Sequence, residues 1–270
     1  MNTAIDMVGT NLESGTKTYN LNFCKNLAKK KLNKIIYIFA CEDFIEESKI
    51  RNINIKFITK SNILKITFLR ILWMQFILPF ELKIYKINQL YSPMNLSPLV
   101  LKLLKIRSVL ALHTNLPWLF FSKMPGSFIR NYITKLMMQF SIHLSDHLVV
   151  ASNTAKKEII DILSIEPNKV SSIYLGIDDK FLDRNEKGAN LIKNFNYNNY
   201  ILSILSCVKY HNIISLLKAF RLISKKKNSD LKFVLVMQIL DKDYYKEIIK
   251  FIDYNFGNNE VIIFSNLSNS

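Results

Sequence analysis

Short apolar runs alternate with stretches whose apolar residues recur every three or four positions, the mark of strands separated by helices. "TAIDMVG" reads as a first strand, and a helix follows from about Thr16 to Lys31. "KIIYIFA" and "INIKFIT" read as further strands, and Ile63 to Leu78 as a helix that stops before Pro79-Phe80. "QLYSPMN" and "SVLALHTN" are short strands bounded by Pro, Asn and Thr. Ser127 to Leu144 is amphipathic, "HLVVAS" is a strand, and Ser152 or Asn153 caps the helix "TAKKEIIDIL". "KVSSIYLG" closes this half. Strands separated by helices predict an α/β fold with a parallel, doubly wound sheet.

Residues 178 to 197 break the rhythm. They are polar, rich in Asn and Lys, and contain Gly188, a composition suited to a hinge. The rhythm then restarts with the strand "YILSILS". A helix follows with Ile213, Leu216, Leu217, Phe220 and Ile223 at helical spacing, then the strand "LKFVLVMQIL", the helix "DYYKEIIKFIDYNF" and the strand "EVIIFS". Two α/β units are expected, over 1–178 and 198–270, joined by 179–197. Only three strands of the second are written.

Composition narrows the class. The 270 residues are 49% hydrophobic, enough for one large core or two smaller ones, and no low-complexity tract suggests disorder. Lys+Arg is 37 against Asp+Glu 21, a formal charge of +16 that favours anionic partners: nucleotide phosphates, nucleic acid or an anionic membrane surface. No nucleic-acid motif accompanies it, so nucleic acid is the weakest of these. Cys24, Cys41 and Cys207 are odd in number and far apart, which suggests a reducing compartment without disulfides or a zinc site. The start of the chain has no basic, apolar leader pattern. The most apolar run is interrupted by Lys65, Arg70 and Gln75, so a cytoplasmic protein, either soluble or peripheral at the inner face of the plasma membrane, is expected rather than a spanning one.

Five local patterns, in order, carry a resemblance. They are "SGTKTYNLNFCKNLAK", "LYSPMNLSPL", "VLALHTNLPW", "SDHLVVASNTAKKEIIDILSIEPNKVSSIYLGID" and "YILSILSCVKYHNIISLLKAF". Together they make the chain similar to the retaining GT-B glycosyltransferases of family 4. The resemblance implies two Rossmann-like domains of GT-B type, the first acceptor-side, the second binding a nucleotide-diphospho-sugar and here incomplete. It implies transfer of a sugar to a cell-envelope saccharide or lipid-linked acceptor, with no metal and no cofactor beyond the donor. It places Gly15 and Thr16 at the cleft loop after the first strand, with Gly15 permitting a tight turn. His113 becomes the catalytic candidate, orienting or deprotonating an acceptor hydroxyl.

The donor side departs from the family pattern. His211 stands where a lysine is usual beside Asn212, unless a shift of one or two residues makes Lys209 the diphosphate contact; both stay open. Leu205 and Met237 replace expected glycines, and the acidic donor motif would lie past Ser270. The alternative is therefore a non-catalytic relative that keeps the acceptor-domain fold and has lost donor binding. Asp241 and Asp243 in "DKD" read as a helix cap rather than a metal pair. His143 and His147 read as structural, and "SKKKN" as a solvated helix end. The segment from Phe120 to Phe140 interleaves Lys123, Arg130 and Lys135 with aromatic and aliphatic residues. It reads equally as a surface for anionic lipid and as a helix packing on the sheet.

Overall fold

In the computed structural model, which describes residues 2–11, 15–177, 199–227, 231–257 and 259–265, seven parallel strands form one sheet and three form another. The first half runs β1 (Thr3–Asp6), α1 (Gly15–Lys29), β2 (Ile36–Cys41), α2 (Glu42–Ser48), β3 (Ile55–Lys60), α3 (Thr67–Leu72), α4 (Leu78–Ile84), β4 (Gln89–Ser92), β5 (Arg107–Leu112), α5 (Leu116–Leu119), α6 (Phe128–Leu144), β6 (His147–Val150), α7 (Asn153–Leu163) and β7 (Val170–Ser172). The second half runs β8 (Tyr200–Cys207), α8 (Ile213–Lys227), β9 (Lys232–Ile239), α9 (Lys242–Asn255) and β10 (Val261–Ser265). This is the expected α/β architecture of parallel sheets in two units, the second of them small. Two compact units emerge: Met1–Trp118 with Tyr132–Leu182, and Leu119–Asn131 with Asp183–Ser270. The expected hinge at 179–197 falls outside the described residues.

The order of the larger sheet is β3-β2-β1-β4-β5-β6-β7. Its strands are apolar on both faces because helices cover both. One face, with Ala4, Phe39, Leu90, Leu110 and Leu148, packs under Trp73, Met74, Leu78, Leu82, Met138, Ile142 and Ile159. The other face, with Ile5, Ile38 and Ala40, packs under Leu21 and Cys24 of α1 and Phe44 of α2. All three cysteines are buried and free. Burial pushes the Cys24 thiol up to about 12 and Cys207 to about 11, which keeps thiolate chemistry out at neutral pH.

One helix outlasts its expected end. The segment predicted to stop before Pro79 continues to Ile84, through a π turn at Trp73–Ile77 that links α3 to α4. Proline lacks an N–H and its ring collides with the carbonyl four residues back. Here the Leu78 N–H reaches Trp73 O, five residues back, and the widened turn accommodates Pro79 in the first turn of α4. Ser152 is the cap of α7: extended itself, it accepts the Ala155 N–H at 3.1 Å. Ser152→Ala is expected to lower stability by about 1 kcal/mol in urea unfolding.

In the smaller sheet, of order β10-β9-β8, α8 and α9 share one cluster built from Leu217, Phe220, Tyr244 and Ile248 against Phe233, Leu235 and Met237. Of the residues at helical spacing in α8, Ile213, Leu217 and Phe220 are buried, whereas Leu216 and Ile223 keep substantial exposure. A sheet of three strands is too narrow to cover the whole apolar stripe of a helix. Asp241 accepts the Tyr244 N–H at 2.9 Å and so caps α9.

Candidate functional site

The chain runs outward from β1 to β3, then crosses to β4 on the far side of β1. The β1/β4 seam is therefore the switch point where open α/β sheets bind ligands, beyond the carboxyl ends of the strands. Three turns meet there: Met7 to Thr10 after β1, Pro93 to Asn95 after β4, and His113 to Asn115 after β5.

His113 is clasped by the turn after β4. Its backbone N–H donates to Asn95 Oδ1 at 2.7 Å, and Nε2 lies 2.7 Å from Pro93 O. A carbonyl only accepts, so Nε2 carries the proton and Nδ1 is the basic nitrogen of the neutral ring. Asn95 adopts a left-handed φ of 64° and itself donates to Ala111 O at 3.1 Å, which holds the clasp in register with β5. The Tyr19 ring stands edge-on to the imidazole, with centroids 4.5 Å apart, and Tyr19 OH meets Tyr91 OH at 2.6 Å. The residue is exposed overall, yet its ring edge lies against Tyr19 and Pro93. This desolvation holds its pKa below the ordinary 6.5, against the opposing pull of the Pro93 bond.

Gly15 and Thr16 begin α1, the helix whose next residues include Tyr19. The first turn of α1 and His113 thus belong to one constellation. The tight turn, however, is not at Gly15. Gly9 carries the left-handed φ, +81°, and a Cβ there would lie 2.5 Å from Arg70 Cδ. Gly15 has no left-handed φ, and a Cβ on it would meet nothing within 4 Å. What Gly15 offers is open space at a helix N-terminus, suited to approach by an anion. Thr10 follows Gly9; its hydroxyl donates to Met7 O at 2.7 Å and accepts from Asn20 Nδ2 at 2.8 Å, stitching the β1 turn to α1.

Beneath the turn, Asp6 is 1% exposed, with Oδ1 accepting the Val8 N–H at 3.1 Å. Burial raises its pKa, and the nearby Arg70 guanidinium offsets part of that rise. Arg70 Nε and Nη2 and Asp6 Oδ2 are buried without hydrogen-bond partners. Alongside, Lys60 pairs with Glu81.

A cavity of about 40 Å³ lies beside His113, between the ends of β5 and β6, lined by Asn115, Ala151 and Ile159 among others. It has the size of a water site. A roomier hollow, about 270 Å³, sits at the amino ends of β1 and β2, around Thr3 and Lys31–Ile36. Ligands of such sheets bind at the carboxyl ends, so the smaller cavity is the one that belongs to the site.

In the second unit, Lys209 and His211 share a single 3-10 turn between β8 and α8, ended by Asn212 with φ 51°. His211 Nδ1 lies 2.6 Å from Ser206 O, which fixes the ring and turns Nε2 outward. Lys209 Nζ is 3.9 Å from Glu247 Oε1 with both side chains about half exposed, a loose pair that gives way easily to another anion. Met237 is buried under α8 and α9, where it packs as core. Sequence reasoning did not single out Tyr19, Tyr91 or the Asn95 side chain as site residues; the only signal was the Pro-Met-Asn after β4.

The Glycosyltransferase Family 4 model matches residues 14–181. No curated protein sequence matches significantly. Among solved structures, Anabaena HepE in complex with UDP and glucose is similar with a TM-score of 0.63 at 13% identity, over 98% of this chain and 69% of that one. A glycosyltransferase from Rickettsia africae gives 0.62 at 17%, over 99% and 68%. A UDP-GlcNAc 2-epimerase from Neisseria meningitidis gives 0.55 at 15%, over 99% and 72%. At these identities the likeness is one of fold, and the fold serves more than one chemistry.

Proposed function

Since the chain belongs to Glycosyltransferase Family 4, we propose that it moves a sugar from a nucleotide-diphospho-sugar to a saccharide or lipid-linked acceptor of the cell envelope, with retention at the anomeric carbon. The observation that carries this reading is the clasped His113. Its tautomer is fixed by Pro93, its backbone by Asn95 and its ring by Tyr19, at the switch point of the sheet. A neutral imidazole with a basic Nδ1 is suited to accept the proton of an acceptor hydroxyl. The open N-terminus of α1 at Gly15 and Thr16 supplies N–H dipoles for an anionic group.

Departure of a nucleoside diphosphate builds charge on phosphate oxygens, which cations and N–H dipoles stabilise. Lys209 is the cation assigned that role, at the N-terminus of the fifteen-residue α8, with His211 beside it. Because Nδ1 of His211 donates to Ser206 O, Nε2 donates to a phosphate oxygen only when the ring carries a second proton. The solved relatives that hold UDP and UDP-glucose make uridine diphosphate the first donor nucleotide to test.

A second reading is a binding protein with an acceptor-domain fold that has lost the donor. It draws support from Met237, buried where a glycine would let a nucleotide approach. Calorimetry with UDP together with a UDP-glucose turnover assay separates the two. The enzyme reading expects UDP binding that weakens about tenfold in Lys209→Ala, the loss of one charge-assisted contact. Neither binding nor turnover with any nucleotide-sugar would leave the binding-protein reading.

A further inference from the structure

The helical stretch from Thr67 to Ile84 is apolar on the side it turns away from the sheet as well as on the side it buries. Trp73, Met74, Leu78 and Leu82 enter the core. Phe68, Leu72, Phe76, Phe80 and Ile84, each four residues from the last, remain exposed; Phe76 is 66%, Phe80 72% and Ile84 74% accessible. In a regular α-helix a row of every fourth residue drifts by about 40° per step. The π turn at Trp73–Ile77 rotates less per residue and takes back part of that drift, so these residues hold one flank. A surface helix of a globular protein ordinarily presents charged residues there.

Charge next to the stripe indicates what covers it. From Leu82 to Ser145 the chain contains no Asp or Glu. Lys83, Lys86, Lys102, Lys105 and Arg107 are exposed around the end of α4 and the turn before β5. Lys83 Nζ donates to Leu104 O at 2.7 Å and so ties that turn to α4, bringing along Leu103, which is 84% exposed. Aromatic and aliphatic side chains rimmed by lysines, with the one acid of α4, Glu81, paired to Lys60, match the acyl boundary and anionic headgroups of a bilayer. A second copy of this chain would bring the same positive rim against itself, which like charges oppose.

We propose that the exposed flank of residues 67–84, with Leu103 and the lysines around it, seats the protein on an anionic membrane surface, lying in the interface without crossing it. Among the described residues no helix is long and apolar enough to cross a membrane. The seat does not depend on donor or acceptor, so it stands or falls separately from the catalytic reading.

Flotation of the full chain with phosphatidylcholine vesicles, and with mixed phosphatidylcholine–phosphatidylglycerol vesicles, tests it. Binding is expected to the mixed vesicles and to weaken as salt rises. The double variant Phe76→Ser, Phe80→Ser alters only exposed side chains and is expected to weaken partitioning at least about tenfold. Lys102→Ser with Lys105→Ser is expected to abolish the preference for anionic vesicles while circular dichroism and UDP binding stay unchanged. The proposal is overturned if neither double variant changes binding, or if only neutralising Lys123, Arg130 and Lys135 does. It is likewise overturned if sedimentation velocity shows a dimer that Phe76→Ser, Phe80→Ser dissolves, because the stripe is then an interface between copies.

Discussion

Replacing His113 with alanine is expected to slow sugar transfer by about 10²–10⁴-fold, the range spanned by a positioned acid–base group. The fold should tolerate the change. The residue is exposed, and its side chain makes one hydrogen bond, to Pro93 O, whose loss costs about 1 kcal/mol. The clasp on its backbone survives, because Asn95 Oδ1 binds the main-chain N–H and not the ring. His113→Asn keeps a side-chain N–H donor for Pro93 but has no basic nitrogen. It should fold like the parent and transfer as poorly as alanine, which separates proton acceptance from positioning.

The pH profile supplies a second check. Only the neutral ring accepts a proton, and desolvation holds the His113 pKa below 6.5. Activity should therefore persist as pH falls through 6.5 and fail only below it. The same displacement affects stability in the same direction. The unfolded chain takes up the proton first, so stability declines as pH drops below 6.5 and is unaffected above it. A transfer rate that is unchanged in both variants would remove His113 from the chemistry.

Much of this site is written locally and the decisive part is not. Alternation of apolar runs with helical periodicity was enough to expect an α/β fold, and each strand of the larger sheet lies in a run that reads as one. Sheet order is a different matter. Nothing local says that β4 crosses to the far side of β1, yet that crossing places Tyr91, Asn95 and His113 beside the first turn of α1. Tyr19 and Tyr91 meet across 72 positions, and Asn95 reaches His113 across 18. Such pairings are products of packing and leave no periodic trace. The helix across Pro79 was hidden for another reason: a proline ordinarily ends a helix, and only the π turn before it removes the conflict.

The two glycines between β1 and α1 make the same point with the second large effect. By type alone Gly9 and Gly15 are equivalent candidates for the turn, and substitution is expected to tell them apart sharply. Gly9→Val should destabilise the protein by about 3 kcal/mol in urea unfolding, because a β-branched residue is forced to a left-handed φ. Its Cβ would also overlap Arg70 Cδ, 2.5 Å away. Arg70 has little room to yield, since Nε and Nη2 are buried, and its charge partly offsets the burial of Asp6. Displacing it leaves the Asp6 carboxyl with less compensation in the core, so Asp6 is driven further toward its protonated form. Gly9→Ala should cost less, about 2 kcal/mol, because it carries the left-handed penalty and the same Cβ overlap with Arg70 Cδ but lacks the branch. Gly15→Ala should leave stability nearly unchanged, because its Cβ meets nothing within 4 Å and its φ is ordinary. Donor turnover then reads the other half of the assignment. If Gly15 is where an anion approaches the helix, Gly15→Val should raise KM while leaving the unfolding midpoint in place. Equal unfolding midpoints for Gly9→Val and the parent would show that Arg70 moves freely and that the turn after β1 is not strained.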